Sequence, residues 1–320
     1  MDNPPAAHYR PADSLASPRF AGVRTFMRLP HVTTTDDVDV AFVGIPFDTG
    51  ASFKVGARFG PEAIRSASAL LRPYHPELDV DIFNIVSAVD YGDAPVAPGF
   101  IEDSYDRIVN FLRPLHQAGV VPISMGGDHS VVLPELRAAV EKHGPVALVL
   151  FDSHPDTWDS YFGHKYFHGT PFKRAVEEGL LLPLHSTMIG LRGPVYDRDD
   201  WQNCRAMGFE VFTAGQMHRD GIADIPARTL QRAGDRPIFL SFDIDFLDPA
   251  YAPGTGTPEV GGFTSHQLLQ LVRGLKGLEL VGFDLVEVSP PYDHGDITAL
   301  LAANLVFEFL SLLALGKVKA

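Results

Sequence analysis

Cysteine is nearly absent from this chain: Cys204 is the only one in 320 residues. An intramolecular disulfide framework is therefore excluded, and the composition fits a reducing compartment. Cys204 itself lies in a helix-like segment and reads as an ordinary helix residue, not a nucleophile. Basic charge is also scarce. With 26 Lys and Arg against 40 Asp and Glu, the net charge of −14 argues against nucleic acid or an anionic membrane as partner. It leans instead toward cationic small molecules. No apolar leader is present, because residues 1–18 are polar and proline-bearing, so no secretory signal is expected. No apolar run is expected to span a bilayer either, since Asn304 and Glu308 interrupt the long apolar C-terminus. The expected location is the cytoplasm. Apolar content of 45% with 21% charged residues is that of a globular protein, and this length suffices for one large core.

Residues 1–36 show no strong periodicity and read as an N-terminal arm, expected at an interface; residues 37–320 read as a single domain. From there strands and helices alternate. Strands are expected over 38–45, 85–89, 120–125, 146–151, 187–191, 210–213, 238–242 and 280–285. Helices are expected over 61–71, 101–117, 130–142, 171–179, 199–207, 225–233, 265–275 and 297–313, the first opening with Pro61 in its first turn. That order predicts a doubly wound, mainly parallel sheet covered by helices on both faces, a three-layer α/β/α fold. In such a sheet the site lies beyond the carboxyl ends of the strands.

Ligand-type residues gather at those ends. Asp152, His154 and Asp156 follow the apolar run Val146–Phe151, and Asp243 and Asp245 follow Pro237–Phe242. Alternate residues leaving a strand point the same way, so each set can converge. A third element, Gly126-Gly127-Asp128-His129, follows Val120–Met125. Four carboxylates and two imidazoles at three strand ends repel one another unless cations intervene, which predicts two divalent metals with bridging carboxylates. Asp and His suit Mn, Fe, Ni or Zn ions, and the carboxylate-rich donor set leans toward harder ions such as Mn²⁺. Such a pair generates a nucleophile from water near neutral pH and predicts hydrolysis at an unreactive carbon. The glycines of Gly254–Gly262 do not sit between a strand and a helix N-terminus, so they read as turns beside the metals, not as a nucleotide loop.

Over residues 18–315 the chain resembles the ureohydrolase family of arginases, agmatinases, guanidinobutyrases and proclavaminate amidinohydrolases. The resemblance rests on Gly126-Gly127-Asp128-His129-Ser130, Asp152-Ser153-His154-Pro155-Asp156, His168-Gly169-Thr170 and Ser241-Phe242-Asp243-Ile244-Asp245. Gly254-Thr255-Gly256-Thr257-Pro258-Glu259 and Glu287-Val288-Ser289-Pro290 complete it. It implies an arginase-like fold and cleavage of a guanidino group to urea and an amine. It also implies that His129, Asp152, Asp156 and Asp243 hold one ion and Asp152, His154, Asp243 and Asp245 the other. By the same resemblance Asp156 orients the attacking hydroxide, His168 shuttles protons to the leaving amine, and Glu287 pairs with the guanidinium. Asp128 is expected to orient ligands or backbone, and Arg58 to be structural or interfacial. A homo-oligomer, trimer or hexamer, is implied, and a hetero-oligomer is the alternative. One departure stands out: Ser153 occupies the place of the usual alanine, with its side chain expected to point away from the ions.

The aromatic loop Thr157–Phe167 lacks the asparagine by which arginases read an α-amino acid, which argues against arginine. Trp158 and Tyr161 are its expected substrate contacts. Agmatine is the expected substrate. The alternatives are 4-guanidinobutyrate or 3-guanidinopropionate, guanidine or biguanides with nickel, and a non-catalytic partner subunit. Asp159 would favour a cationic substrate tail, Lys165 or Arg28 an anionic one.

Overall fold

Along the central strands, alternate side chains enter two separate cores. Val149 and Phe151 pack on one side of the sheet, Leu148 and Leu150 on the other. A strand apolar on both faces needs cover on both, and the helices supply it. In this computed structural model, which describes residues 9–319, the strands are β1 (Val40–Gly44), β2 (Tyr74–His75), β3 (Val80–Asp81), β4 (Ala88–Asp93) and β5 (Val121–Met125). They continue as β6 (Ala147–Phe151), β7 (Thr187–Leu191), β8 (Glu210–Thr213), β9 (Ile238–Asp243) and β10 (Leu280–Val286). β2 and β3 make a small antiparallel hairpin. The other eight form one parallel sheet in the order β4-β1-β5-β10-β9-β6-β7-β8.

The helices are α1 (Gly60–Ser68), α2 (Ile101–Ala118), α3 (Val132–His143), α4 (Pro171–Glu177), α5 (Asp200–Met207), α6 (Ala214–Asp220), α7 (Ile225–Ala233), α8 (Ser265–Gly274) and α9 (Ile297–Lys319). Residues of α1, α6, α7, α8 and α9 share a core with one sheet face, and residues of α2, α3, α4 and α5 pack on the other. The expected three-layer α/β/α fold is thus present. Cys204 is buried within α5, as an ordinary helix residue.

Three features differ from expectation. Helix α6 and the hairpin were not foreseen; α6 is short, and its start is fixed by the Thr213 hydroxyl, which accepts from the Gln216 N–H at 3.3 Å. The helix expected from Ser130 begins as a 3₁₀ turn over His129–Val131 before α3. Finally, Asn304 and Glu308 do not interrupt α9. By length and composition it is long and apolar enough to cross a membrane, yet 67% of its most apolar window is buried inside the protein. Glu308 is accommodated there by a two-point pair with Arg273 of α8 (3.0 and 2.7 Å) and by His75 Nε2 at 3.1 Å.

Residues 1–8 of the arm lie outside the described residues. Within the rest, Phe26, Met27 and Leu29 are buried, Phe26 stacking on Phe42 of β1 at 4.2 Å. The Phe26 N–H donates to Asp90 Oδ2 (2.8 Å), which is also held by Arg65.

Candidate metal centre and substrate pocket

Sheet order explains why ligands about ninety residues apart meet. β6 and β9 are neighbours in register, with Phe151 opposite Phe242, so Asp152 and Asp243 leave the sheet side by side. β10 and β5 lie next along the sheet and deliver Glu287 and His129. The glycines before His129 are steric necessities. A Cβ on Gly127 would run into the Phe47 carbonyl oxygen, which the Asp128 N–H approaches to 2.8 Å.

The six sequence-predicted ligands converge. His129 Nδ1 lies 3.1 Å from Asp152 Oδ2, 2.9 Å from Asp156 Oδ2 and 3.3 Å from Asp243 Oδ2. His154 Nδ1 lies 3.0 Å from Asp245 Oδ2 and 3.7 Å from Asp152 Oδ1. Two groups result, His129/Asp152/Asp156/Asp243 and Asp152/His154/Asp245, each with donor atoms within 4.8 Å of one another. Asp152 belongs to both; Asp243 is grouped with the first alone.

These groups fit divalent cations on the structure's own terms. His129 Nδ1, Asp152 Oδ2 and Asp245 Oδ2 are buried and make no well-directed hydrogen bond, an expensive arrangement unless a cation fills the space between them. Burial and the charges of Asp156 and Asp245 push Asp152 up to about 8, against the pull of His129. Burial and the same like-charge repulsion raise Asp243 well above the usual range. Positive charge placed between them relieves that repulsion.

Tautomers follow from the neighbours. The Ser241 hydroxyl donates to Asp284 Oδ1 at 2.7 Å, so at 2.9 Å from His129 Nε2 it must accept. Nε2 therefore carries the proton and Nδ1 presents its lone pair to the cluster, the arrangement by which outer groups aim a metal ligand. Sequence reading missed Ser241 and Asp284, although polar residues in two otherwise apolar strands were a visible signal. Glu259 was also assigned no role; its Oε1 lies 3.9 Å from His154 Nε2.

Ser153 departs from expectation. Its side chain does not point away from the ligands: Oγ donates to Asp245 Oδ1 at 2.7 Å and lies 3.1 Å from His154 Nδ1. The backbone turns here so that the Ser153 N–H reaches the same oxygen at 3.1 Å, which brings the hydroxyl with it.

His168 sits beside the cluster. Its Nδ1 lies 3.0 Å from Glu287 Oε1, and its Nε2 lies 3.1 Å from the Ser52 N–H and 2.6 Å from Ser52 Oγ. Burial alone would lower its pKa, but the Glu287 hydrogen bond and the charges of Glu287, Asp156 and Asp128 raise it to about 9. Ser52, another residue missed in the sequence, serves either state of the ring: its N–H donates to a bare Nε2, and its hydroxyl accepts from a protonated one. Glu287 Oε1 also accepts the His129 N–H at 2.9 Å. Asp156 and Glu287 both hold positive φ (48° and 63°), strained backbone of the kind stored at functional sites.

A cavity of about 280 Å³ opens onto this cluster, with Asp156, His168 and Asp243 among its lining residues. Its aromatic wall is Trp158, Tyr161 and Tyr196, with ring centroids 5.3–6.0 Å apart. Tyr196 comes from the loop after β7 and was not foreseen. Glu287 is buried behind His168 and does not line the cavity. Asp159, Lys165 and Arg28 do not line it either; Asp159 pairs with Arg174 at 2.8 Å and Arg28 with Ser17. Asp128 is not a ligand. It caps the 3₁₀ turn, accepting from the Ser130 N–H at 3.0 Å, and accepts the Gly50 N–H at 2.7 Å. Arg58 is paired with Asp48, a structural role.

Comparison with known proteins agrees with this geometry. Residues 38–311 match the arginase family. The chain is 49% identical to a guanidinopropionase of Pseudomonas aeruginosa, over 96% of either chain. It is 45% identical to a mitochondrial agmatinase of Gallus gallus, over 97% of this chain and 89% of that one. A solved proclavaminate amidino hydrolase from Streptomyces clavuligerus superposes with a TM-score of 0.90 at 41% identity, covering 94% of this chain and all of that one. The chain belongs to the arginase family.

Proposed function

We propose that this enzyme cleaves agmatine to urea and putrescine. The observation that carries the choice is the cavity wall. Trp158, Tyr161 and Tyr196 present ring faces and edges, Glu259 adds a carboxylate, and no Lys or Arg is among the described lining residues. Aromatic faces beside a carboxylate attract a terminal ammonium, whereas a terminal carboxylate finds no Lys or Arg among the described lining residues. A guanidino-acid substrate is the second reading, favoured by the similarity to a guanidinopropionase.

Two bound divalent ions would be held by His129, Asp152, Asp156, Asp243, His154 and Asp245, with Mn²⁺ favoured and Ni²⁺ admissible, and would supply activated water at neutral pH. The chain's own residues do the rest. Asp156 orients the attacking water. Water adds to the guanidinium carbon, the bond to the alkyl nitrogen breaks, and that nitrogen takes a proton from His168; the two protons of the water restore the imidazole and complete the ammonium of the product. Glu287, behind His168 and paired with its Nδ1, holds the imidazole in place and keeps it charged as that proton donor. The retention of all six ligands together with His168 and Glu287 speaks against a non-catalytic subunit.

The reading extends to a cytoplasmic homo-oligomer, trimer or hexamer, with residues 37–320 as one catalytic domain. Exposed Leu15, Phe20 and Val23 support an interfacial role for the arm. A urea-release panel over agmatine, 4-guanidinobutyrate, 3-guanidinopropionate, arginine, guanidine and biguanides, with Mn²⁺ and Ni²⁺ compared, tests the substrate. A preference for either guanidino acid would replace agmatine by the second reading.

A further inference from the structure

Asp245 has two oxygens in unlike surroundings. Oδ1 receives both the Ser153 N–H (3.1 Å) and the Ser153 hydroxyl (2.7 Å). Oδ2 is buried without a hydrogen bond and faces His154 Nδ1 at 3.0 Å. The hydroxyl thus ties one carboxylate oxygen back and leaves the other aimed at the space between Asp152, His154 and Asp245. We propose that Ser153 fixes Asp245 as a one-oxygen metal donor and thereby shifts the balance of this position between Mn²⁺ and Ni²⁺ toward Ni²⁺. The inference rests on reading the cluster as a divalent-metal centre.

The physical reasoning has two steps. A carboxylate binding through both oxygens makes a four-membered ring with a small bite angle. Large Mn²⁺, with no ligand-field preference, accepts that distortion, whereas Ni²⁺ holds to regular geometry and resists it. Donation to Oδ1 both opposes rotation into the two-oxygen mode and draws electron density from the ligand, which weakens an oxygen-rich site for the harder ion. The same hydroxyl oxygen lies 3.1 Å from His154 Nδ1, so its dipole touches both donors of this position that are not shared with the other group. With alanine at 153, the backbone N–H alone would hold Oδ1.

The test is metal competition, read without turnover. Metal-stripped full-length protein is equilibrated with equal Mn²⁺ and Ni²⁺, freed of unbound metal, and its content measured by elemental analysis. Hydrogen bonds to metal ligands commonly change affinity by about 10–100-fold, so Ser153→Ala should raise the bound Mn/Ni ratio by at least about threefold. Ser153→Thr, which keeps the hydroxyl, should leave the ratio at the parental value. Should Ser153→Ala melt early and bind neither ion, Ser153→Gly is read in its place by the same ratio. An unchanged ratio in the hydroxyl-free variant overturns the proposal while leaving the metal centre standing. Parental protein that bound no metal would overturn the centre itself and the proposal with it.

Discussion

His168 and Glu287, 119 residues apart in sequence, face each other across 3.0 Å. The pair keeps the imidazole protonated through neutral pH, since its raised pKa near 9 lies above the ordinary value of about 6.5. Activity should therefore persist up to about pH 9 and decline above it, as the proton donor is lost. Glu287→Gln removes the charge while keeping the shape. It should lower kcat/KM by about 10–100-fold, the size of a buried charge-assisted hydrogen bond at about 1.5–3 kcal/mol. The high-pH limb should also move to lower pH, and metal content should not change. Unchanged kcat/KM would refute the assigned role.

The buried carboxylates predict a dependence of stability on metal. Without cations, Asp152 and Asp243 bear desolvation and mutual repulsion. Ions bound to the folded chain alone should raise its stability by about 2.7 kcal/mol per site at one hundred times Kd. Chelation should lower the melting temperature, and Mn²⁺ should restore it. Asp152→Ala, which removes the carboxylate common to both groups, should bind neither ion stably, whereas His154→Ala should mainly weaken one. Elemental analysis of each variant decides this, and two ions retained by Asp152→Ala would count against the shared site.

The central strands and all six candidate ligands were legible because each signal is local. Val146–Phe151 reads as a buried strand by itself, and Asp152, His154 and Asp156 follow at alternate positions. What stayed hidden depends on contacts across the sheet. That the Ser153 hydroxyl turns inward is set by Asp245 on the neighbouring strand connection, 92 residues away. Tyr196 belongs to the pocket only because β7 lies beside β6. Glu308 was misread for the same reason: its partners, Arg273 and His75, come from other elements, so the sequence showed a charge in an apolar helix and not the ion pair that accommodates it.

His116 predicts acid sensitivity of another origin. It is buried at the end of α2 with neither ring nitrogen hydrogen-bonded; burial, then the nearby His143, lowers its pKa to about 4. Unfolded, it titrates near 6.5. Between those values the unfolded chain binds a proton that the folded one refuses, so stability is intact above about pH 6.5 and declines as pH falls toward 4. The full loss is about 3 kcal/mol, at 1.36 kcal/mol per pH unit. His116→Leu should remove this slope, so denaturant midpoints of variant and parent should diverge between pH 7.5 and 5. Parallel curves would mean that His116 is protonated or solvated in the folded protein.

Asp200 joins the two loops that wall the pocket. Its Oδ2 accepts the Trp158 indole N–H at 2.9 Å and the Tyr196 backbone N–H at 3.0 Å, so one carboxylate oxygen ties the Trp158 ring to the backbone of the loop that carries Tyr196. Trp158 and Tyr196 contact the substrate's tail in the proposed reading, while the guanidinium end is handled by the cluster and His168. Asp200→Ala should loosen the aromatic wall and raise KM for agmatine about tenfold, corresponding to about 1.4 kcal/mol, with kcat within about twofold. Asp200→Asn keeps an oxygen acceptor and should lie between variant and parent. Any turnover of free guanidine, which has no tail, should be unaffected. An equal loss on substrates with and without a tail would show that Asp200 supports the fold of the site as a whole, and the division between tail wall and reacting end would fail.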